Sequence, residues 1–395
     1  MIDRLVRPAL TFVAAAVLSV PQGCGTPVGN PENGTVGPAG KLTSPRSAHA
    51  ATLLPKGQVL ITGGLLRAEG DEVTTSAAEV YDPKTSAFRA VAAMTAERAG
   101  HTATLLQNGD VLITGGIGGG KILDSAEVYR AARGVFEPAG RMSSRRERHC
   151  ATLLDSGEVL ITGGSSGTPL ATSDVYDPRA NSFRPLGNMR SARFAHTSTR
   201  LPDGRVLLAG GADSANHVTR GAEIFNPADK TFTPTGDMNE GRHKHAAVLL
   251  RDGRVLVAGG SASPEDWRER RATAEIYDPA AGTFRPTGAM NVARFKIPSA
   301  IALLDDGRVL VCGGDQSVEI YDPAREAFVV ADGGPDDALF YSTATLLPGG
   351  RVLIVGGYDD DLRSSERSWM FTPPTRSATQ AERAARRARH RGDQH

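Results

Sequence analysis

The sequence predicts an all-β protein, a seven-bladed β-propeller of four-stranded blades whose ring is closed by an N-terminal strand. Two observations carry this prediction. A sixteen-residue phrase that ends in a glycine pair occurs seven times in the 395-residue chain. Each copy is followed by segments typical of further strands. Because one unit cannot bury both faces of its own sheet, the units are expected to stack around an axis.

The glycine pairs define seven units, numbered here 1 to 7 in chain order. The pairs recur every 43 to 54 residues, as from Gly314 to Gly357 and from Gly260 to Gly314. Glycine tolerates the backbone angles needed to leave a sheet beside a neighbouring chain segment. The predicted structural glycines are Gly63, Gly64, Gly115, Gly116, Gly163, Gly164, Gly210, Gly211, Gly259, Gly260, Gly313, Gly314, Gly356 and Gly357.

Each unit reads as four short strands in a fixed order. In unit 2, HTATLL (101–106) is the first strand, and Asn108-Gly109 turns the chain into the second strand, VLITGG (111–116). Asn-Gly and Asp-Gly are typical of tight hairpins. The third strand is the segment AEVYDP (78–83 in unit 1), which ends at Asp-Pro. The fourth strand contains the pattern F-x-P-x-G-x-M.

The two ends of the repeat array predict how the ring closes. Unit 7 stops after its third strand, and the segment VGPAGKLTSPR (36–46) parallels FEPAGRMSSRR (136–146). Residues 36–42 are therefore predicted to supply the outer strand of the last blade, which also covers an exposed edge. The predicted organisation is a signal peptide (1–23), a Gly/Pro/Asn-rich linker (24–34), the propeller (35–375) and a basic, disordered tail (376–395).

The N-terminus predicts export. Arg4 and Arg7 precede the apolar stretch 9–20, which is typical of a signal peptide. Cys24 follows the predicted cleavage point and is the lipidation candidate, since the segment resembles a bacterial lipoprotein signal. The protein is expected at the outer membrane or cell surface if Cys24 is lipidated, and otherwise in the periplasm or secreted. Its membrane contact is then limited to that anchor.

Composition excludes several classes of function. The 45 basic and 44 acidic residues nearly cancel, so no nucleic-acid partner is expected. Three cysteines exclude a framework of several disulfides, and Cys150 and Cys312 are predicted to be buried, inert thiols. No cofactor and no metal are predicted, and the protein is expected to be a monomer.

The units resemble kelch repeats over residues 35–375. The resemblance rests on the glycine pair after an apolar strand, on Glu-x-Tyr-Asp-Pro, and on the recurring aromatic, Met and Arg. Phenylalanines such as Phe136 stand where kelch repeats have Trp. The copies look most like bacterial relatives of the galactose oxidase propeller. That resemblance implies a copper radical oxidase only if tyrosine and histidine ligands and a cysteine crosslinked to tyrosine are present. Cys150 and Cys312 lie in repeat strands, so no such set is expected.

One segment imitates a nucleotide site. Gly115, Gly120 and Lys121 fit all but the last position of G-x-x-x-x-G-K-[ST], but Ile122 replaces the Ser or Thr that would bind magnesium. The glycine pair is already explained by the repeat, and a strand rather than a helix follows. A flexible loop of unit 2 is therefore predicted instead of a phosphate site.

Repeated basic residues are the candidate ligand-binding residues at one mouth of the central channel. They stand three residues before the repeated histidine: Arg46, Arg98, Arg146, Arg193, Arg242 and, in unit 6, Lys296. Such a ring could focus an acidic ligand. The alternative is structural pairing with an acid on the third strand, because the units carry Glu79, Glu127, Asp174, Glu223, Glu275 and Glu319. Five repeated histidines are expected to make structural hydrogen bonds rather than to bind a metal.

The sequence indicates no catalytic residues. It favours a non-enzymatic binding module of the cell envelope that recognises protein or glycan. The recognition would use the loops after the glycine pairs and the channel mouth. A carbohydrate-modifying enzyme with its site at the mouth, epimerase- or mutarotase-like rather than copper oxidase-like, is the alternative. Fold alone cannot choose between them.

Overall fold

A computed structural model describes residues 29–68, 71–213, 217–264 and 267–374. Over these ranges the protein is all-β, with one short 3-10 helix at Trp267–Glu269. Four-stranded sheets are arranged as in a propeller. Five of them are separate, and one eight-stranded sheet contains the repeats of units 6 and 7. The predicted signal peptide (1–23), the lipidation candidate Cys24 and the predicted tail (376–395) lie outside the described residues.

The strands follow the predicted order within every unit. The first strands are Ala50–Leu53, Thr102–Leu105, Cys150–Leu153, Thr197–Arg200, Ala246–Leu249, Ile301–Leu303 and Thr343–Leu346. The second strands are Val59–Thr62, Val111–Thr114, Val159–Thr162, Val206–Ala209, Val255–Ala258, Val309–Val311 and Val352–Val355. The third strands are Ala78–Asp82, Ser125–Arg130, Ser173–Asp177, Ala222–Asn226, Ala274–Asp278, Glu319–Asp322 and Arg367–Thr372. The fourth strands are Ala87–Ala90, Val135–Arg141, Ser182–Leu186, Thr231–Pro234, Thr283–Thr287, Ala327–Gly333 and the N-terminal Asn30–Lys41.

The second and third strands form the interior of each sheet. Second-strand residues such as Leu112 and Ile113 are fully buried, because both faces of the sheet are covered by neighbouring sheets. The third and fourth strands are joined by a repeated aromatic pair, as between Tyr129 and Phe136, whose ring centroids are 4.9 Å apart. The repeated phenylalanine therefore packs on the aromatic ring of the third strand.

The first strands surround a central channel. Each first strand contacts the next one along the chain, and the last, Thr343–Leu346, contacts the first, Ala50–Leu53. This cyclic order brings residues that are distant in sequence to one place. A residue at a given position of the repeat therefore belongs to a ring of equivalent positions.

The N-terminal strand joins the two ends of the chain. Asn30–Lys41 lies antiparallel to Arg367–Thr372, with Val36 opposite Phe371 and Lys41 opposite Arg367. This is the pairing that the sequence predicts for residues 36–42. The strand begins earlier than predicted, inside the expected linker 24–34. It does so because Asn30 also bridges to Ala331, and this parallel contact merges the last two sheets into one of eight strands.

Two segments predicted as loops are hairpins. Leu65–Ala68 pairs with Asp71–Thr74, and Ile117–Gly118 pairs with Lys121–Ile122. The second hairpin contains the nucleotide-site imitation. Gly119 and Gly120 occupy its turn with φ of 56° and 72°, angles that suit glycine at both central positions of a tight hairpin. The glycine-rich segment is thus an ordered turn rather than the flexible loop expected.

We predict that removing the N-terminal strand destabilises the whole ring. Val36 packs with Trp369 and Phe371, and Ala39 packs with Met370, so these residues would lose their cover. A chain that begins at Leu42 should melt more than about 5 °C below one that begins at Gly29, measured by differential scanning calorimetry. Equal melting temperatures would contradict closure by this strand.

Candidate functional site

The repeated arginines are buried joints between units. In unit 2, the Arg98 guanidinium donates to the carbonyls of Gly115 (2.9 Å) and Ser125 (3.1 Å) and to Glu127 (2.7 Å). Its own carbonyl accepts a hydrogen bond of 2.9 Å from the backbone N–H of Gly64 in unit 1. The Arg98 side chain thus makes its hydrogen bonds within unit 2, while its backbone carbonyl is hydrogen-bonded to unit 1.

The carboxylate partner is satisfied from a second direction. Glu127 accepts backbone N–H groups of Thr95 (2.6 Å) and Ala96 (3.2 Å), which belong to the segment between units 1 and 2. Burial lowers the pKa of Arg98, and the charge and hydrogen bond of Glu127 oppose that shift. Equivalent ion pairs are Arg46–Glu79, Arg146–Asp174, Arg193–Glu223 and Arg242–Glu275.

This arrangement favours the structural alternative for the five arginines. Arg46, Arg98, Arg146, Arg193 and Arg242 are at most 1% exposed, and each has its carboxylate. A buried guanidinium with its charge balanced offers little to a ligand. That these five arginines bind a ligand stays a prediction, and nothing in their surroundings supports it.

Unit 6 departs from the predicted alignment. Arg294, not Lys296, forms the joint there, through Gly313 O (2.9 Å) and Glu319 (3.1 Å). The unit has two additional residues between the arginine and the glycine, 19 instead of the usual 17 positions. Counting back from the glycine therefore selected the wrong residue for the repeated position.

Unit 7 replaces the ion pair by apolar residues. Leu339 stands where the other units have arginine, and Trp369 stands opposite Ile354, as Glu79 stands opposite Ile61. Both belong to one hydrophobic cluster. The charged joint and an apolar pair thus occur at the same place in one molecule, as expected when a buried pair and well-packed hydrophobic residues are of similar stability.

The glycine pair is required by this joint. A side chain at Gly115 would place its Cβ 2.4 Å from the carbonyl oxygen of Arg146, and Gly116 has φ of 91°. Any other residue at position 115 would push the next unit away. The glycines predicted from the repeat therefore have a packing role.

The repeated histidines also link neighbouring units. Each donates or accepts at Nε2 with a threonine of the preceding unit, over 2.9 to 3.0 Å: His49 with Thr343, His101 with Thr62, His149 with Thr114, His196 with Thr162 and His245 with Thr197. Burial, followed by the charge of the adjacent arginine, lowers the pKa of His49, His101 and His196 to about 3. These histidines are neutral structural groups, as predicted.

The two repeat cysteines differ in position. Both are free thiols, and burial raises their pKa values to about 12. Cys312 is buried as predicted, and Cys150 is half-buried in the channel wall, where its thiol donates to the carbonyl of His196 over 3.1 Å. Neither is a reactive thiolate.

A second ring, two residues after the arginine, forms the channel mouth. We call its members the mouth ring: Ala48, Gly100, Arg148, Ala195, Lys244, Lys296 and Tyr341. All have left-handed backbone angles, with φ between 49° and 60°. Left-handed backbone is uncommon for residues other than glycine, and it clusters at functional sites.

Backbone hydrogen bonds close the mouth ring. Along the ring, each N–H donates to the carbonyl of the preceding member over 2.9 to 3.3 Å: Gly100 to Ala48, Arg148 to Gly100, Ala195 to Arg148, Lys244 to Ala195, Ile297 (in place of its neighbour Lys296) to Lys244, Tyr341 to Lys296 and Ala48 to Tyr341. The backbone of the mouth is therefore fixed, and only its side chains vary.

A cavity of about 320 Å³ lies inside the mouth ring. Its wall is made mostly of small first-strand residues such as Ala51, Thr102 and Ser198, and Arg148, Lys244 and Tyr341 contribute larger polar groups. This volume suits a small molecule. The channel mouth, rather than the arginine ring, is the candidate site.

Glu147 supplies an acid beside the mouth. Its carboxylate lies 3.7 Å from the Arg148 guanidinium, and burial raises its pKa, against the opposing charges of Arg148 and Lys244. A carboxyl with a raised pKa is a candidate for proton transfer. Arg148 also lies 5.9 Å from the centre of the Phe194 ring.

Lys296 is held in an aromatic cluster. Its ammonium lies 5.0 to 5.8 Å from the ring centres of Phe295, Phe340, Tyr341 and Tyr358, and it donates a hydrogen bond to the Tyr358 hydroxyl. Among the predicted ligand-binding residues, Lys296 is the one that does not form an arginine joint. Its backbone belongs to the mouth ring instead. Cation–π contacts fix the side chain there.

Sequence reasoning missed Arg148, Lys244 and Tyr341. A signal for them exists. Two residues after each arginine, the repeat has Ala, Gly, Arg, Ala and Lys in units 1 to 5, a variable position within an otherwise constant motif. The scaffold does not dictate these residues, so their side chains can differ from one unit to the next.

Comparison with known proteins shows the fold. No protein-family model and no curated protein matches the chain. A solved structure of a fungal alcohol oxidase of the AA5 family, in complex with copper, is similar with a TM-score of 0.69 and 18% sequence identity. The match covers 87% of this chain and 77% of that one.

The described residues of this chain do not fit a copper centre. Within the described ranges, no three His, Cys, Asp or Glu side chains come together to hold a metal. The repeated histidines use Nε2 for threonine hydroxyls, and the two thiols bond to backbone carbonyls.

No helix of the described chain is long and apolar enough to span a membrane.

We predict that breaking one arginine joint costs about 3–5 kcal/mol of unfolding free energy, because Arg98→Met leaves the Glu127 carboxylate buried without its cation. In the double variant with Glu127→Gln, the loss should be smaller than the sum of the two single losses. Urea denaturation measures both. Arg133→Met is the control, since Arg133 is 60% exposed in its ion pair and should lose less than about 1 kcal/mol. Equal losses for Arg98→Met and Arg133→Met would contradict the joint.

We predict that acid destabilises the ring through the neutral histidines. Their folded-state pKa values lie below the unfolded value of about 6.5, so the unfolded chain binds more protons and stability falls as pH drops from about 6.5 toward 3. His101→Ser, which copies Ser342 of unit 7, should weaken this dependence. Melting temperatures between pH 8 and 4 test it. An identical pH dependence in both proteins would exclude the histidine as the cause.

Proposed function

We propose that the chain is a seven-bladed kelch-type propeller that acts on a small carbohydrate at the channel mouth. In this count, the eight-stranded sheet is two blades that share the N-terminal strand. The seven-membered mouth ring supports that count. The observation that carries the functional proposal is a fixed, left-handed ring around a small-molecule cavity with Arg148, Lys244 and Tyr341 at its rim.

We favour the enzymatic alternative over the non-enzymatic scaffold. The AA5 oxidase of similar fold is an enzyme, and a cavity of about 320 Å³ is the size of a metabolite rather than of a protein surface. The acid beside the mouth, Glu147, adds a group for proton transfer. Because the donor set does not fit copper, the proposal uses chemistry that needs no cofactor.

Mutarotation is the reaction that these groups support best. A base removes the proton of the anomeric hydroxyl while an acid protonates the ring oxygen. The bond between the anomeric carbon and the ring oxygen breaks as the carbonyl forms. Closure on the other face returns both protons and gives the other anomer, so atoms and electrons balance without a co-reactant. We assign the proton transfers to the hydroxyl of Tyr341, which lines the cavity, and to Glu147, whose carboxylate lies outside the cavity wall, 3.7 Å from the Arg148 guanidinium. Arg148, which also lines the cavity, would orient the sugar.

The predictions of export and of lipidation at Cys24 remain part of this proposal, since a carbohydrate site suits a protein of the cell envelope. Recognition of a protein partner through the blade loops is the second candidate. It would require the exposed segments after the glycine pairs. Among these, Val73 and Leu362 are large exposed hydrophobic residues.

The test is the rate of anomer exchange. We expect the protein to accelerate interconversion of freshly dissolved α-anomers, followed by polarimetry, for at least one of glucose, galactose, glucuronate and galacturonate. Glu147→Gln should reduce this rate roughly a hundredfold, as expected for loss of a general acid or base, with an unchanged melting temperature. Binding without acceleration would favour the binding module. If the protein neither binds these sugars nor accelerates their anomer exchange, the carbohydrate site is refuted.

A further inference from the structure

The two additional residues of unit 6 can be located by packing. A Cβ on Gly210 in unit 4 would lie 2.8 Å from the His245 ring of unit 5. A Cβ on Gly259, the equivalent glycine of unit 5, would lie 3.0 Å from the Ile297 side chain. Ile297 therefore takes the place of the repeated histidine in unit 6, three residues after the arginine of its joint, as in the other units. The additional residues follow Ile297.

Pro298 and Ser299 are these two residues, and they form a tight turn. The N–H of Ala300 donates to the carbonyl of Ile297 over 3.0 Å, which closes a four-residue β-turn. Proline is favoured at the second position of such a turn, because its ring fixes the φ angle that the position needs. We call residues 297–300 the inserted turn.

Backbone hydrogen bonds fix the inserted turn to both neighbouring units. The carbonyl of Ser299 accepts the N–H of Ala344, in the first strand of unit 7, over 2.8 Å. The N–H of Ile297 donates to the carbonyl of Lys244 in unit 5 over 3.2 Å. The position of the turn is therefore set by the backbone on both sides.

The inserted turn adds bulk to the wall of the mouth cavity. Pro298 and Ser299 both line the cavity, and both are exposed. The wall residues that regular units contribute from their first strands, such as Ala103 and Ala151, are half-buried. Because no other unit has the two additional residues, the cavity is narrowed on the side of unit 6.

This narrowing lies beside a group to which the proposed reaction assigns a proton transfer. The turn directly follows Lys296, and the N–H of Tyr341, the next member of the mouth ring, donates to the carbonyl of Lys296 over 2.9 Å. A sugar that reaches the Tyr341 hydroxyl must therefore fit beside the turn. The cavity of about 320 Å³ is also near the lower end of the range of roughly 300–1,000 Å³ for ligand sites.

We propose that the inserted turn restricts the mouth to a single sugar ring. Pro298 and Ser299 occupy the space that a second, glycosidically linked ring would need beside Tyr341. The turn is thus a specificity-determining element that selects monosaccharides over oligosaccharides. This inference rests on the proposed carbohydrate site and adds the size of its substrate.

The test compares sugars that share a reducing end. Each of glucose, galactose, glucuronate and galacturonate is paired with a 1,4-linked disaccharide that ends in the same sugar, such as cellobiose for glucose and digalacturonate for galacturonate. Anomer exchange is followed by polarimetry and binding by isothermal titration calorimetry. We expect the unaltered protein to accelerate exchange of a monosaccharide roughly tenfold or more over its disaccharide.

Two variants change the turn in opposite directions. Deletion of Pro298 and Ser299 restores the 17-position interval of the other units, and it should reduce the preference for the monosaccharide to less than roughly threefold. Ser299→Trp adds bulk at an exposed position and should weaken monosaccharide binding roughly tenfold or more.

Ser156→Trp is the matched control for the tryptophan variant. Ser156 is also an exposed serine in a turn, but it lies between the first and second strands of unit 3, at the other end of the channel. It should leave binding and anomer exchange unchanged. Melting temperatures within about 2 °C of the unaltered protein verify folding. If the deletion variant fails to fold, Ser299→Trp decides.

The outcomes separate this inference from the proposed function. If the unaltered protein accelerates a monosaccharide and its disaccharide equally, or if Ser299→Trp binds monosaccharides like the unaltered protein, the size restriction is wrong. In both cases the acceleration of anomer exchange would leave the carbohydrate site standing. If the unaltered protein neither binds nor accelerates any of these sugars, both proposals fail.

Discussion

The buried arginine that joins two units is the interaction on which the rest of the structure depends. Its side chain fastens the carbonyl of the first glycine and the acid of the third strand within one unit. Its backbone carbonyl accepts the N–H of the second glycine in the preceding unit. Such a pair must be complete, because a single charge left in the interior is strongly unfavourable. The requirement explains why arginine, acid and glycine pair recur together.

The same joint explains the position of the candidate site. Two residues after each arginine, the chain must turn into the first strand, and it does so in a left-handed conformation fixed by the hydrogen bonds of the mouth ring. The backbone there is set by the repeat, whereas the side chain is not. Variation at one position therefore changes the chemistry of the mouth without changing the scaffold. Arg146 and Arg148, separated by one residue, show the division: the first is closed in its ion pair with Asp174, and the second lines the cavity.

Much of the fold could be predicted from the sequence because the units repeat. Sevenfold recurrence locates the strands and the hairpin turns, and the resemblance of residues 36–46 to 136–146 places the N-terminal strand beside Arg367–Thr372. The extra parallel contact at Asn30 could not be predicted, because it depends on how two sheets meet in space. Hairpins such as Ile117–Gly118 with Lys121–Ile122 could not be foreseen either, since glycine-rich segments suit both loops and tight turns.

The candidate site was harder to predict, for two physical reasons. Counting a fixed number of residues back from the glycine pair takes no account of an insertion. Because unit 6 has two additional residues, that count selected Lys296 instead of Arg294. Nor does a strand-like motif reveal a residue with a left-handed backbone, such as Arg148, which lines the cavity. The alternative of structural pairing for the arginines needed only charge balance, and charge balance is visible in the sequence.

The most direct measurement of the central claim is a crystal structure of the protein with galactose bound. The account predicts the sugar inside the mouth ring, in the cavity that Arg148, Lys244 and Tyr341 line, and an unchanged ion pair between Arg146 and Asp174. A saccharide bound on the outer loops with the mouth ring untouched, or one held by the buried arginines after their ion pairs open, would contradict it.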